Sequence, residues 1–198
     1  RQAPAVPALE TQLGRDFVNI LFVGRIAPNK KIEDIIHLAE HYKRYIDFQY
    51  RFIFVGKTDA VPRYYDAVQG MVSRFRMMSD RFWFTGGVPD GELAAYYRHA
   101  HAYVSLSEHE GFCVPLLEAM SMDVPVLAYG AGAIPETLGG AGVCFTPKDL
   151  EQAAEWLAAL VYDEPLRTQV IAGQRRRLLD FSRARLESQV RAVLDAVA

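Results

Sequence analysis

The chain has 198 residues, of which 51% are hydrophobic and 23% are charged, and its formal net charge is −2. These values are typical of one globular domain with a sizeable core, and the small net charge excludes a general attraction to nucleic acid. Two isolated cysteines exclude a disulfide framework and favour a reducing, cytoplasmic location, and no apolar run reaches the roughly 18 residues of a membrane span.

Apolar β-rich runs alternate with helical segments along the chain. Residues 1–16, with two prolines and no initial Met, predict an extended leader or interdomain linker in a part of a longer protein. One domain follows over residues 17–181, and residues 182–198 predict a helical tail. The predicted strands are 17–24, 50–56, 81–86, 101–107, 124–130 and 141–146. The predicted helices are 31–46, 63–78, 89–100 with Asp90 as its N-cap, 114–122 and 149–163, followed by two further helical stretches.

This alternation predicts the fold class. Strands that are apolar throughout are typical of a parallel sheet covered by helices on both faces. We therefore expect one doubly wound, Rossmann-like α/β domain of about six strands with right-handed crossovers. Ligands of such sheets bind at the carboxyl ends of the strands. The loops expected to carry function are 24–30, 56–62, 86–90, 107–114 and 129–136.

The loop after the fourth predicted strand opens the stretch SEHEGFCVPLLEAM, which places seven residues between Glu110 and Glu118. Pro115 is the predicted first helical residue, so Glu110 lies in the loop and Glu118 in the first helical turn. Free N–H groups and the helix dipole at such a start favour a phosphate, and Gly111 allows the backbone to approach it closely. Alternatively, Glu118 only complements the helix dipole and Gly111 only forms a turn.

The loop after the first predicted strand carries two cations, Arg25 and Lys30, in the sequence VGRIAPNKK. A dinucleotide-binding fingerprint is absent, because Gly24 stands alone. Two cations at a strand end suit a diphosphate. A solvated turn over residues 29–31 is the alternative, but it explains Arg25 poorly, since Arg25 directly follows a buried strand.

Several stretches taken together, FVGRIAPNK, FTGGVPDGEL, HAYVSLSEHEGFCVPLLEAMSMDVPVLAYGAGAIPET and the helical tail, resemble the C-terminal half of group 1 retaining glycosyltransferases of the two-domain GT-B fold. The resemblance spans about residues 17–181, and the family's E-x7-E motif matches Glu110 and Glu118. It implies a nucleotide-sugar donor, with Arg25 and Lys30 at the diphosphate, Glu118 at the ribose hydroxyls and Glu110 near the transferred sugar. Further implied donor contacts are Gly24, Gly87, Val88, Gly111, Phe112, Cys113, Val114, Leu116 and Glu136.

The implied contacts differ in kind. The N–H groups of Phe112 and Cys113 are expected to meet sugar hydroxyls, and those of Val114 and Leu116 to meet phosphate. The loop around residues 87–88 is expected beside the base, and the loop that carries Glu136 beside the donor sugar. The sequence departs from the family pattern at Lys31, where glycine commonly follows the lysine, and at Cys113, the third residue of the usual GFG or GFS.

The resemblance also implies the substrates and partners. The donor is expected to be a UDP- or GDP-linked hexose, with no cofactor and no metal, and acceptor binding is expected to need an N-terminal domain that these residues lack. We expect the chain alone to bind nucleotide without transferring sugar. The tail 182–198 is expected to be the least ordered part or to pack differently than in the whole enzyme. Its basic stretch QRRRLLDFSRARLESQVR is a solvated face or contacts anionic lipid at the inner membrane face or the other domain.

Two alternative functions stay open. One is a non-catalytic nucleotide-binding or assembly module, and the other is a related GT-B enzyme such as a sugar-nucleotide epimerase or phosphorylase. Two further patterns are discounted. VGKT at 55–58 is not a P-loop, because Arg51 stands where the first glycine is required. The histidines and Cys113 between residues 99 and 113 follow no zinc-site spacing.

Overall fold

The computed structural model describes residues 7–14, 17–46, 49–74 and 81–197. The strands are β1 (Val18–Val23), β2 (Tyr50–Val55), β3 (Phe82–Gly86), β4 (Ala102–Ser105), β5 (Val126–Tyr129) and β6 (Val143–Phe145). The α-helices are α1 (Pro7–Leu13), α2 (Ile32–Tyr45), α3 (Pro62–Arg74), α4 (Asp90–Arg98), α5 (Val114–Ser121), α6 (Ile134–Leu138), α7 (Leu150–Tyr162), α8 (Glu164–Leu178) and α9 (Arg183–Val197). Short 3-10 helices cover Pro28–Lys30 and Leu179–Phe181.

The six strands form one sheet in the order β3-β2-β1-β4-β5-β6, and every pair is parallel. This is the doubly wound order in which the chain turns outward in both directions from β1 and β4. The predicted Rossmann-like α/β fold of about six strands is confirmed. Strands β1 and β4 are neighbours in space although two other strands separate them in sequence, so a crevice opens between the loops at their carboxyl ends.

Side chains on the strands alternate between two buried cores, one on each face of the sheet. Ile20 and Phe22 of β1 face the core formed with α2, α3 and α7, whereas Leu21 faces the core formed with α4, α5 and α6. A strand buried on both faces needs apolar side chains at every position, because its two sets of side chains each meet a layer of helices. The continuous apolar runs of the sequence have this cause.

The predicted extended leader is wrong for residues 7–13, which form helix α1. Pro7 opens this helix, a position where proline is well tolerated because its missing N–H needs no partner. Leu13 is 1% exposed and packs into the core shared with α4 and α5. Arg98 of α4 also pairs with Glu10 at 2.5 Å. Tertiary contacts therefore recruit this segment to the domain, and residues 1–6 and 15–16 lie outside the described part.

Two predicted helix starts shift in the structure. Asp90 is the first residue of α4 and caps nothing, because Pro89 occupies the N-cap position without a side-chain hydrogen bond. Helix α5 begins at Val114, as the predicted range 114–122 has it, and not at Pro115, which was expected as the first helical residue. The end of the predicted helix 63–78 lies partly outside the described residues, since α3 is described to Arg74.

The tail forms helix α9, which projects large apolar side chains into solvent. Leu186, Val190, Val193 and Leu194 are 45–63% exposed. Among the described residues, no helix is both long enough and apolar enough to cross a bilayer. Whether the tail is less ordered than the domain stays a prediction.

Candidate functional site

The crevice between β1 and β4 is closed at its base by an ion pair. Lys30, after β1, lies with Nζ 2.5 Å from Oε1 of Glu110, which follows β4. The Lys30 side chain is 17% exposed and that of Glu110 is 9% exposed. An ammonium group has three N–H donors, so two remain for a ligand. The two residues that sequence analysis assigned to different loops thus form one charged unit.

The loops that carry this pair are also joined through their backbones. The Glu108 N–H donates to the carbonyl of Asn29 at 3.0 Å. The Asn29 side-chain amide donates to the carbonyl of His109 at 3.2 Å. These two hydrogen bonds fix the distance between the loop after β1 and the loop after β4. The contact between Lys30 and Glu110 depends on that distance.

Gly132, in the loop after β5, supports the backbone of Glu110. Its φ is +57°, and a Cβ placed there would lie 2.7 Å from the Glu110 carbonyl oxygen. The neighbouring Ala133 N–H donates to the same oxygen at 3.1 Å. Only glycine fits this left-handed position at such a close approach. The glycine-rich loop therefore positions Glu110, a role that the sequence alone did not reveal.

Arg25 follows β1 after one intervening residue, Gly24, and is exposed. Within the described ranges no hydrogen bond or ion pair engages its guanidinium group. The adjacent Ile26 N–H donates to the carbonyl of Lys57 at 2.9 Å, which anchors the loop to the end of β2. An anchored backbone with an unpaired cation suits the capture of an anion.

Backbone N–H groups are unpaired at the start of α5. Cys113 is the N-cap residue, and in the described part of the chain the N–H groups of residues 111–114 have no hydrogen-bond partner. Gly111, Phe112 and Val114 are exposed, with Phe112 at 44% and Val114 at 53%. Leu116 differs, because its N–H donates to the Cys113 carbonyl at 3.0 Å and its side chain is buried. Donors at this helix start therefore come from residues 111–114.

Both departures from the family pattern fall on left-handed backbone. Lys31 has φ +52° and Cys113 has φ +61°. Glycine adopts this region without cost, whereas other residues are strained by roughly 1–2 kcal/mol. The usual glycines at these two positions thus have a conformational reason.

The Cys113 side chain is buried beside Glu110. Burial and, second to it, the Glu110 carboxylate raise the pKa of the thiol to about 12. The thiol therefore stays protonated near neutral pH. Cysteine in place of the family's glycine or serine thus changes the shape and polarity around residue 113 without adding charge.

Glu118 is the fifth residue of α5, so its predicted place in the first turn is wrong. The shift follows from the earlier start of the helix. A helix dipole acts mainly within the first turn, so it gives little reason for a carboxylate here. Oε2 of Glu118 instead accepts a hydrogen bond from the Tyr97 hydroxyl at 2.8 Å. The sequence carried no local signal for Tyr97, which follows the apolar pattern of α4.

The loop after β3 lies on the same edge of the sheet, two strands away from β1. Neighbouring strands are about 4.8 Å apart, so the ends of β1 and β3, which precede these two loops, are separated by roughly 10 Å. Between them Gly24 and Gly56 meet closely, because a Cβ on Gly56 would lie 2.1 Å from the Gly24 carbonyl oxygen. The edge is thus a shallow surface of strand-end glycines that ends at the charged pair.

Glu136 lies in α6 on the other side of the Glu110 loop, and its side chain is exposed. The neighbouring Thr137 hydroxyl donates to the Phe112 carbonyl at 2.7 Å. Arg177 of α8 donates to the backbone carbonyl of Glu136 at 2.6 Å. The Phe112 ring packs edge-on against Phe181 at 5.6 Å between centroids. Helix α6 is thus bonded to the loop that carries Phe112, and helix α8 is bonded to α6.

Lys148 forms a second cluster that sequence analysis missed. Its Nζ lies 2.8 Å from Oδ2 of Asp34 and 3.0 Å from Oε1 of Glu108, and it donates to the Leu106 carbonyl at 3.2 Å. Hydrogen bonds from Lys148 and Lys31 lower the pKa of Glu108. No spacing rule connects residues 34, 108 and 148. This cluster ties the base of the Glu110 loop to α2.

Metal ligation finds no support in the described ranges, where no group of three or more His, Cys, Asp and Glu side chains is placed to hold an ion. Arg51 lies inside β2 and is 6% exposed, which agrees with the exclusion of a P-loop at VGKT.

Comparison with known proteins gives a consistent family. The family described as "Glycosyl transferases group 1" matches residues 11–177. The serotype-specific mannosyltransferase WbdA of Escherichia coli is 27% identical over 145 residues, which are 73% of this chain and 18% of the relative. The chain spans less than half the length of each curated relative compared.

Solved structures share the fold at low identity. The crystal structure of Anabaena HepE in complex with UDP and glucose has a TM-score of 0.80 and 21% identity, over 96% of this chain and 51% of that chain. The C-terminal domain of the group 1 glycosyl transferase LpcC from Francisella tularensis has a TM-score of 0.71 and 24% identity. That match covers 90% of this chain and 94% of that chain.

Proposed function

The chain belongs to the glycosyl transferases of group 1, and on this premise we propose that it binds the nucleoside-diphosphate sugar donor of a retaining hexosyltransferase. The observation that carries the proposal is the convergence of Arg25, the Lys30–Glu110 pair and the free N–H groups of residues 111–114 at one edge of the sheet. Each of these groups suits a different part of such a donor.

The diphosphate is assigned to Arg25, Lys30 and the start of α5. When the bond to the sugar breaks, negative charge develops on the leaving diphosphate. Donors that are already oriented stabilise this charge without reorganising during the reaction. The bonds that join residues 29, 108 and 109 orient Lys30 in advance, and the helix start adds neutral donors with a favourable dipole.

The sugar and the nucleoside are assigned to opposite sides of the diphosphate. Glu110 is held in place by Lys30 and by Gly132 and is assigned to the transferred sugar. Glu136, in the segment after β5, is assigned to the same sugar. Glu118 accepts the ribose hydroxyls, and Gly87 and Val88 flank the base. The likeness to HepE, which was crystallised with UDP and glucose, supports this division.

The donor sugar is proposed to be a hexose linked to UDP or GDP. A relative from Mycolicibacterium smegmatis named as a GDP-mannose-dependent alpha-mannosyltransferase makes GDP-mannose an informative first ligand, and UDP-glucose, bound in a HepE crystal structure, is the second. Sugar transfer to a glycan, lipid or other acceptor is proposed for a protein that also contains an N-terminal acceptor-binding domain. These residues supply one wall of the cleft, so this chain alone is expected to bind donor with modest affinity and to transfer nothing.

Calorimetric titration of the 198-residue chain with UDP, GDP, ADP and their hexose conjugates tests the proposal. We expect saturable binding of at least one diphosphate, and weaker binding of the corresponding monophosphate, because Arg25 and Lys30 then lose a phosphate partner. The absence of binding across the panel would contradict a donor-binding role. Transfer of sugar to an acceptor by this chain, at rates typical of enzymes, would contradict its assignment as one half of the catalytic cleft.

A further inference from the structure

Tyr97 makes an unusual contact for a core residue. It lies on α4, it is 2% exposed, and its ring packs within the core between α4 and α5. Its hydroxyl nevertheless reaches the edge of that core and donates to Oε2 of Glu118 at 2.8 Å. The carbonyl of Pro115 lies 3.3 Å from the same hydroxyl. The tyrosine therefore links the last turn of α4 to the first two turns of α5.

The neighbouring Tyr96 shows that this contact is specific. Tyr96 is 3% exposed and packs its ring edge-on against Trp83, with 5.7 Å between centroids. No hydrogen bond joins Tyr96 to Glu118 in the described structure. Two adjacent tyrosines of one helix are thus equally buried, but only one of them contacts the carboxylate.

Burial and the Glu118 carboxylate raise the pKa of Tyr97 far above its ordinary value. The hydroxyl stays protonated at physiological pH, so it serves the carboxylate only as a donor. A glutamate side chain rotates broadly about its last torsion. One bond from a buried, immobile donor fixes the plane of the carboxylate and leaves Oε1 as its second acceptor.

We propose that Tyr97 is a positioning residue for nucleoside recognition, occupying Oε2 of Glu118 so that Oε1 is oriented toward the vicinal diol of a ribose. This inference rests on the proposed function, because it takes Glu118 to be the acceptor of the ribose hydroxyls. The benefit is preorganisation, since an acceptor that is already oriented loses less freedom when the nucleotide binds.

The test compares a nucleoside diphosphate with its 2′,3′-dideoxy analogue, for the chain and for Tyr97→Phe. Phenylalanine keeps the ring and removes only the hydroxyl. We expect the affinity of Tyr97→Phe for the ribonucleotide to fall about tenfold, the scale of one hydrogen bond to a charged group. The affinity for the dideoxy analogue should change less than about twofold, because that ligand makes no use of the positioned oxygen.

Tyr96→Phe is the matched control, since it removes a hydroxyl from an equally buried residue of the same helix. It is expected to leave both affinities unchanged. In a Glu118→Gln background, Tyr97→Phe is expected to have little further effect on ribonucleotide binding. If Tyr97→Phe does not fold, Tyr97→Met removes the same hydroxyl with a side chain that adapts well to core gaps.

Other results would contradict the role of Tyr97, the role of Glu118 or the proposed function. An equal loss of affinity for both nucleotides would show that Tyr97 only maintains the domain, and no loss for either would show that Glu118 needs no orientation. If the unmodified chain binds both nucleotides equally well, Glu118 does not recognise ribose and the inference fails while diphosphate binding stands. If the unmodified chain binds neither nucleotide, the proposed function itself fails.

Discussion

The two edges of the sheet treat their polar groups in opposite ways. At the edge formed by the amino ends of the strands, the polar groups satisfy one another. Asn19 donates to the carbonyls of Leu13 and His99 and accepts two bonds from Arg51, at 2.7 and 3.0 Å. Nδ1 of His101 accepts the Asn19 backbone N–H at 3.0 Å. Burial of His101, with Arg167 nearby, lowers its pKa and keeps it neutral.

At the edge formed by the carboxyl ends, polar groups remain open. Arg25 is exposed, Lys30 has donors to spare, and the helix start at residue 114 offers unpaired N–H groups. Open donors cost little here because water can reach them, whereas at the closed edge an unpaired group would be buried. The closed edge therefore stabilises the fold, and the open edge is where we propose that the donor binds.

The largest expected effect is a difference in stability between variants of two asparagines, one at each edge of the sheet. Asn19→Ala should lower the free energy of unfolding by about 3 kcal/mol, because the buried Arg51 guanidinium loses its side-chain acceptor. Asn29→Ala, at the exposed edge, should lower it by less than about 1 kcal/mol. Urea denaturation of both variants measures the difference. Equal costs would show that the amino-end network is no more closed than the ligand edge.

The open edge is tested through its cations. Arg25→Ala and Lys30→Ala should each weaken nucleoside diphosphate binding about tenfold or more, because a charge-assisted contact contributes about 1.5–3 kcal/mol. Lys43→Ala, an exposed lysine on α2, is the control and should leave affinity unchanged. Calorimetry measures all three variants. Unchanged affinity in folded Arg25 and Lys30 variants would show that this loop is only a solvated turn.

Two glycines, one beside Glu110 at the open edge and one in helix α3, are expected to respond in opposite ways to substitution by alanine. Gly132→Ala should destabilise the chain by roughly 1–2 kcal/mol, since φ is +57° and the new Cβ would lie 2.7 Å from the Glu110 carbonyl oxygen. The displaced Glu110 should weaken binding of the nucleotide sugar more than that of the free diphosphate. Gly70→Ala in α3 meets nothing within 4 Å and should stabilise by about 0.5–1 kcal/mol. Thermal denaturation of both variants would reveal a contrary order.

The smallest expected effect concerns the left-handed residue Lys31. Its φ of +52° suits glycine, so Lys31→Gly should be more stable than Lys31→Ala by about 1 kcal/mol. Both variants lose the same contact with Glu108, so the difference between them isolates the backbone. Equal midpoints of urea denaturation would mean that the loop relaxes out of this conformation at no cost.

Local pattern predicted the elements better than their ends. All six strands match predicted apolar runs, and helices α2 to α5 and α7 match predicted helical stretches, because their apolar side chains are buried in the two cores. The short helix α6 lies in the glycine-rich segment and was not among the predicted helices. Pro115, expected as the first helical residue, is the second residue of α5, and Glu118 therefore lies outside the first turn. Helix α1 was missed, because its amphipathic character is weak and Leu13, with the Arg98–Glu10 pair, holds it in place. The domain limits and the roles of the site residues stay predictions.

The sequence by itself determined the alternating α/β architecture and the segments on which Arg25, Lys30, Glu110 and Glu118 lie. Both follow from side chains close together in the chain, which set strand, turn and helix locally. Only the tertiary structure decided which of these residues meet. Lys30 contacts Glu110 across 80 residues, and Tyr97 contacts Glu118 across 21. These contacts depend on β1 lying next to β4 and on α4 packing against α5, and that arrangement results from burying two cores at once.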